Sequence, residues 1–406
     1  MHVLFVAPHF PSYQKQFVRA LKAVGAKVTG IGEAPADLLP SDLRGWLYDY
    51  EQVSSVCSEA AMIETVRKIQ KRDWVDRLEA TIEAHMLTAA VVRQDRGIPG
   101  LSHDQTVLCR DKTIMKAFMR KHAIPCAMSD SAETPQQVLD FAKKVGYPII
   151  LKPRGGAGAA GTWRIDSEAA MGPALRESGV MQGQSVALEE FIEGHEGFYD
   201  TLTVNGKIAH EFVSHYYPNV LEAMRTRSVS PVIITTNRID APGYNELKEL
   251  GKTVIQKLEL HTAPTHMEWF FGPKGLKFSE IGARPPGVGQ WDLYCAANDI
   301  DLYKEWAHAV VHGQCPGTLS RNYSAAIINI RPNGDGRIKA YQGLNRVEGK
   351  FGKWFIKSHF PPVGARTQPV EAGYMANAWI QIKYPDYDDL RAILAEIGET
   401  IKIYAE

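Results

Sequence analysis

The stretch Leu151–Ile165, LKPRGGAGAAGTWRI, constrains what this chain can fold into more than any other. Gly156, Gly158 and Gly161 spell G-x-G-x-x-G, the pattern of a dinucleotide-binding turn. That turn needs a strand before it, a helix opening at its third glycine, and an acidic residue roughly 20 positions on. The strand is present in YPIILKP. The helix is not: Thr162, Trp163 and Ile165 follow, and these residue types favour strands. SEAAMGPALRE has helical character but starts too late, and no acidic partner follows on a convincing second strand. A P-loop is excluded because G-K-[ST] is missing. What remains is a glycine-rich turn between two strands, with Lys152 just ahead of it. Backbone N–H groups of such a turn can wrap phosphate oxygens, and Lys152 can add a point charge. Taken alone, the stretch fits a solvated surface loop equally well.

The start of the chain alternates. HVLFVA reads as a buried strand, SYQKQFVRALKAVG as a helix with Phe17, Leu21 and Val24 on one face, and AKVTGIG as the next strand. Helices EAAMIETVRKIQKRD and EAHMLTAAVVRQDRG follow. This alternation predicts a parallel sheet. Near Arg110 a second unit begins, with helices DKTIMKAFMRKHA and TPQQVLDFAKKVG. Thr134 caps the second of these and Pro135 opens it. SVALEEFI is a strand ending in Glu189 and Glu190. FYDTLTVNGKIAHEFVSHYY turns at Asn205-Gly206, and YNELKELGKTVIQKLEL is an amphipathic helix. From about residue 315, β-rich segments alternate with turns, and a last helix lies near YDDLRAILAEIGETI.

THMEWFFGPKGLKFSEIGARPPG carries the sharpest chemical signal. A three-residue loop Pro273-Lys274-Gly275 pairs Gly272 with Leu276 and sets Phe270 against Phe278 and Glu268 against Glu280. A two-residue turn would shift that register by one. Two carboxylates directly across a ladder repel, so a cation belongs between them, and Mg²⁺ takes carboxylate oxygens. An exposed pair at a sheet edge is the alternative. The neighbours Trp269, Phe270, Phe271 and Phe278 argue for burial instead.

Composition closes off other classes. Lys and Arg number 46, as do Asp and Glu, so neither a basic nucleic-acid binder nor a membrane-surface protein is indicated. Five cysteines lie far apart with no C-x-x-C, which argues against a zinc ribbon or redox pair and fits a reducing cytoplasm. The apolar run before Pro8 is too short for a signal peptide, and no run is long enough to span a membrane.

These motifs, in this order, resemble the ATP-grasp superfamily and its carboxylate–amine and carboxylate–thiol ligases. The bacterial L-amino-acid ligases, which form dipeptides, look most similar. The resemblance spans almost the whole chain. It implies an α/β protein, α+β in its ATP-grasp part. The expected units are an N-terminal parallel-sheet domain (1–108), a small ATP-grasp lobe with the glycine-rich flap (109–187), a large lobe with the metal site (188–314), and a β-rich C-terminal domain (315–406). By resemblance, Lys112 in CRDKTIMKAF and Lys152 are the two lysines that contact ATP, and Gly155–Gly161 is the flap. Glu189, Glu190, Phe191 and Ile192 form the adenine hinge, with Glu190 and Ile192 acting through the backbone. Glu196 takes the ribose hydroxyls. Glu268 and Glu280 hold Mg²⁺, with Mn²⁺ as a substitute, and Arg284 steadies the acyl-phosphate. The family's usual Ile-Asn-x-Arg supplies a third metal ligand; Gly282 stands at that Asn position here, so water or phosphate would replace it.

The implied reaction makes an acyl-phosphate from a small carboxylate and ATP, passes the acyl group to an amine, and releases ADP and phosphate. Substrates are expected to be amino acids, with neither nucleic acid nor membrane as partner; homodimers are common in relatives. Weaker substrate-side candidates are Glu83, Arg225, Arg227, His266 and Gly287. Plain structural alternatives are a helix-start acid for Glu83, a basic loop for Arg225 and Arg227, and a core histidine for His266. His308 and His312 imitate a zinc motif in HAVVH, but Ala309 stands where the essential Glu would be, so they read as ordinary helix residues. Rival readings are a purine-type or bicarbonate-using ligase, a non-catalytic ATP-binding regulator, and an NAD dehydrogenase.

Overall fold

The computed structural model describes residues 1–154 and 161–406. The N-terminal alternation folds as expected. Strands β1 (His2–Val6), β2 (Lys27–Gly32), β3 (Asp49–Gln52) and β4 (Arg77–Glu79) are parallel, in the order β3-β2-β1-β4. β1 is buried throughout because helices cover both faces of a parallel sheet. Phe17, on the helix Lys15–Ala23, packs edge-on to Trp306, with ring centroids 5.0 Å apart. Trp306 belongs to a helix about 290 residues away in sequence, so the first unit shares one core with the large sheet described below.

A small antiparallel sheet follows: β5 (Ser129–Ala132), β6 (Ile149–Pro153), β7 (Trp163–Ile165) and β8 (Val186–Glu190), ordered β5-β8-β6-β7. β6 and β7 pair antiparallel, with Leu151 opposite Trp163. The described residues after the stretch thus continue as a strand, Trp163–Ile165, and not as the helix that a dinucleotide turn requires. Gly161 has a φ of 68°, which suits glycine. Thr134 caps its helix through a full capping box with Gln137.

The largest sheet is built from β9 (His195–Val204), β10 (Lys207–Tyr217), β11 (Val232–Thr235), β12 (Ala263–Gly272), β13 (Gly275–Gly282) and β14 (Ser324–Ile330). After β15 (Ile338–Gln342) come β16 (Phe355–His359), β17 (Ala378–Tyr384) and β18 (Lys402–Ala405). The order is β13-β12-β9-β10-β11-β14-β17-β16, while β15 and β18 pair apart. Strands from both sides of residue 315 thus lie in one sheet. The β9–β10 turn is Asn205-Gly206, both left-handed (φ 51° and 77°). Among the described residues no helix is long and apolar enough to cross a membrane.

One local expectation is corrected. The β12–β13 turn has two residues, not three: Gly272 pairs with Gly275, Phe271 with Leu276, and Phe270 with Lys277. A β-bulge then adds one residue to β13 between the Trp269–Phe278 and Glu268–Glu280 pairs. The short turn shifts the register by one and the bulge shifts it back. Glu268 and Glu280 end up opposite each other, but Phe278 opposes Trp269 rather than Phe270.

Candidate active site

A cavity of about 460 Å³ lies between the small and large sheets. Lys112, Lys116, Lys152 and Glu189 line it from the small-sheet side, and Glu196, Glu268 and Glu280 from the large. Helix Lys112–Lys121 starts at Asp111, whose side chain accepts from the Thr113 and Ile114 amides. Lys112 and Lys116 are one turn apart on its buried face.

The lysines are engaged with the acids. Lys112 Nζ lies 2.8 Å from Glu280 Oε2. Lys152 Nζ and Lys116 Nζ lie 2.8 Å and 3.3 Å from the two oxygens of Glu189. Burial alone would raise the Glu189 pKa, but Lys116 and Lys152 outweigh it and hold it low. For Lys152, burial opposes the charge and Glu189 wins, so its pKa is raised. Lys116 goes the other way: burial dominates, and Lys152 nearby adds repulsion.

Glu196, Glu268 and Glu280 stand on one face of three adjacent strands, with Glu196 opposite Phe270 and Glu268 opposite Glu280. Burial, and then the Glu268 charge, push Glu196 up to about 8. Glu280 is instead held at about 2, because Lys112 and Lys152 overcome its burial. Glu196 also accepts from the Val220 amide at 2.7 Å. The donor set fits a magnesium ion: Glu268 and Glu280 face each other, and one or two carboxylates are what Mg²⁺ commonly takes from protein.

His266 bridges two acids. Its Nδ1 is 2.8 Å from Asp200 and its Nε2 3.6 Å from Glu268. Tyr294 donates to the other Asp200 oxygen at 2.5 Å. Burial opposes a charged ring, yet Asp200 holds its pKa up to about 9. Arg284 Nε donates to Glu83 Oε2 at 2.6 Å, and Arg110 reaches the other Glu83 oxygen at 3.3 Å. Glu83 lies in a short helical turn, Glu83–His85, of the N-terminal unit. This unit therefore anchors the arginine that follows β13.

Other candidates scatter. Phe191 and Ile192 line the cavity, and the Arg164 guanidinium stacks 4.3 Å over the Phe191 ring. The Glu190 amide donates to the Met128 carbonyl, and its side chain accepts from Met128 N and Lys274. Arg225 lines the cavity and donates to the Thr162 carbonyl. Arg227 does not: it pairs with Asp335 and lines a separate groove beside the last helix. Gly287 is exposed and away from the cavity wall. Gly156 and Gly158 lie outside the described residues. Sequence reasoning missed Lys116, Asp200, Tyr294, Arg110 and Arg164. Lys116 had a signal, its i+4 spacing from Lys112 on an amphipathic helix; the others had none.

Residues 117–299 match the family model of the ATP-grasp domain. The chain is similar to the L-arginine-specific L-amino acid ligase of Bacillus subtilis, 28% identical over 243 residues, which is 58% of this chain and 58% of that relative. It is also similar to the carbamoyl phosphate synthase large chain of Clostridium botulinum (strain Eklund 17B / Type B), 26% identical over 303 residues, 70% of this chain and 26% of that one. The matches thus span less than two thirds of these relatives' lengths. Among solved structures, the L-amino acid ligase from Bacillus licheniformis superposes with a TM-score of 0.77 at 17% identity, covering 100% of this chain and 98% of that one. The N5-carboxyaminoimidazole ribonucleotide synthetase from Thermotoga maritima gives 0.68 at 17% identity, covering 100% and 99%. At such identities the likeness is one of fold.

Proposed function

We propose that this protein is an ATP-dependent carboxylate–amine ligase acting on amino acids and releasing ADP and phosphate. The observation that carries the proposal is the cavity itself, where three lysines and two facing glutamates converge between two sheets. Lys112, Lys116 and Lys152 would bind phosphate oxygens, exchanging their present carboxylate partners for the nucleotide. Glu189–Ile192 would form the adenine hinge. The Glu190 amide is already spent on Met128, so the Glu190 carbonyl is left for the base. Glu196 would bind the ribose. Glu268 and Glu280 would hold Mg²⁺, which when bound neutralises charge on the phosphates.

Arg284 would stabilise negative charge on the activated carboxylate and on the tetrahedral species formed when the amine attacks. Glu83 keeps its guanidinium aimed. Walls on both sides of the cavity would limit hydrolysis of the acyl-phosphate. The domain division at 108, 187 and 314, a homodimer and a cytoplasmic location belong to the same proposal.

The named activity of the Bacillus subtilis relative supports amino acids as substrates. Phosphate release from ATP, assayed over pairs of amino acids, tests this. Release that requires two particular amino acids is expected. ATP binding with no release on any pair would leave the regulator reading. A second reading, a bicarbonate-using or purine-type ligase, draws on the end-to-end superposition with the Thermotoga maritima synthetase. Release that requires bicarbonate would favour it.

A further inference from the structure

A second group of metal-binding atoms lies at the opposite end of the large sheet. His210 is on β10, Glu305 on the helix Leu302–His312, and Cys315 just beyond that helix. One ligand atom from each, a nitrogen, an oxygen and a sulfur, lies within 4.8 Å of the other two. His210 Nε2 and Glu305 Oε2 are 3.1 Å apart. Leu202, opposite His210, is six residues along β9 from Glu196, about 20 Å at the rise of a strand. This group is therefore separate from the ATP cavity.

We infer that His210, Glu305 and Cys315 bind a zinc ion. Zinc bonds of about 2.0–2.3 Å in a tetrahedron place ligand atoms roughly 3.5 Å apart, close to the spacing seen. Imidazole with thiolate selects zinc over magnesium or calcium. Charge fits as well: a carboxylate and a thiolate cancel the ion's two positive charges, so a buried site carries no net charge. His210 and Glu305 are 4% and 5% exposed, and acids so buried are paired or bind metals. His210 and Glu305 pair with each other, and the Cys315 sulfur converges on them as a third ligand atom.

The fold aims all three inward. A β-bulge between Ile208 and His210 re-aims β10, leaving Ala209 exposed and His210 buried. Gly313 ends the helix in a left-handed turn (φ 65°), which brings Cys315 back beneath it. There the thiol donates to the Glu305 carbonyl at 3.7 Å, and the Gly317 amide donates to Glu305 Oε2 at 2.9 Å. On binding, the sulfur–zinc bond replaces the S–H bond and the proton goes to solvent, with no change of oxidation state. Water takes the fourth position. The ion would clamp strand, helix and the following segment together.

The test uses the full chain, stripped with a chelator, in excess Mg²⁺ to occupy the carboxylate site. Zinc competition against a chromogenic chelator should show one retained equivalent. Cys315→Ser should lose it while keeping the wild-type circular dichroism spectrum. Cobalt should give a thiolate-to-metal charge-transfer band that Cys315→Ser abolishes and His210→Ala weakens at least tenfold in titration. No retained zinc, no such band, or a band that persists in Cys315→Ser would overturn the inference.

Discussion

Lys116 is buried against Glu189 with Lys152 on its other side. Glu189 is the counter-charge of both lysines, so removing its charge leaves two buried ammonium groups facing each other. Glu189→Gln should therefore lower unfolding stability by about 3 kcal/mol, seen as a reduced urea midpoint at unchanged slope. Glu280→Gln acts on function instead. It removes a charge facing Glu268, and phosphate release should fall about 100-fold or more while the fold persists. His215 sets a pH limit. Burial lowers its pKa from 6.5 to about 3, and its ring nitrogens bond His195 and Tyr244. Between those values the unfolded chain binds a proton that the folded chain refuses. Its contribution is thus complete above pH 6.5 and is lost on acidification toward 3, at up to about 1.4 kcal/mol per pH unit. His215→Gln should flatten the melting temperature against pH in that window. At this scale the sequence announced charges but not their pairing. Lys112 and Glu280 were both legible, yet nothing local says that one would lie 2.8 Å from the other. Asp200 and Tyr294 were invisible because their roles come from a contact between distant elements.

Elements were more legible, since period and caps are local. Both strands around the glycine stretch, the Thr134 cap and the Asn205-Gly206 turn are where the residues put them. The β12–β13 hairpin shows the limit. A regular ladder cannot set both Trp269 against Phe278 and Glu268 against Glu280, because the pairs' numbers differ by one in sum. The bulge resolves the conflict, letting Trp269 and Phe278 join the buried cluster under the hairpin while the carboxylates stay paired. That demand comes from the packing of a third element, the helix Asn245–Lys257, so no turn signal carries it.

For the whole molecule, alternation and strand content were enough for the α/β class. The joining of sheets was not readable: β11 and β14 pair across about ninety residues of sequence, and backbone pairing leaves no local mark. The consequence is testable. Ending the chain at residue 314 would remove β14, β16 and β17 and expose Ile234 and Ile233 on a new sheet edge. Such a truncation should be recovered mostly as aggregate, measured by sedimentation. Function also belongs to this scale, because the cavity is assembled from two sheets and Arg284 is anchored by the N-terminal unit. The most direct measurement supplies an amino acid with heavy-isotope carboxylate oxygens, ATP and a second amino acid, and follows the label by mass spectrometry. An acyl-phosphate route predicts one labelled oxygen in the released phosphate and an amide-linked product. Unlabelled phosphate, or AMP in place of ADP, would contradict it.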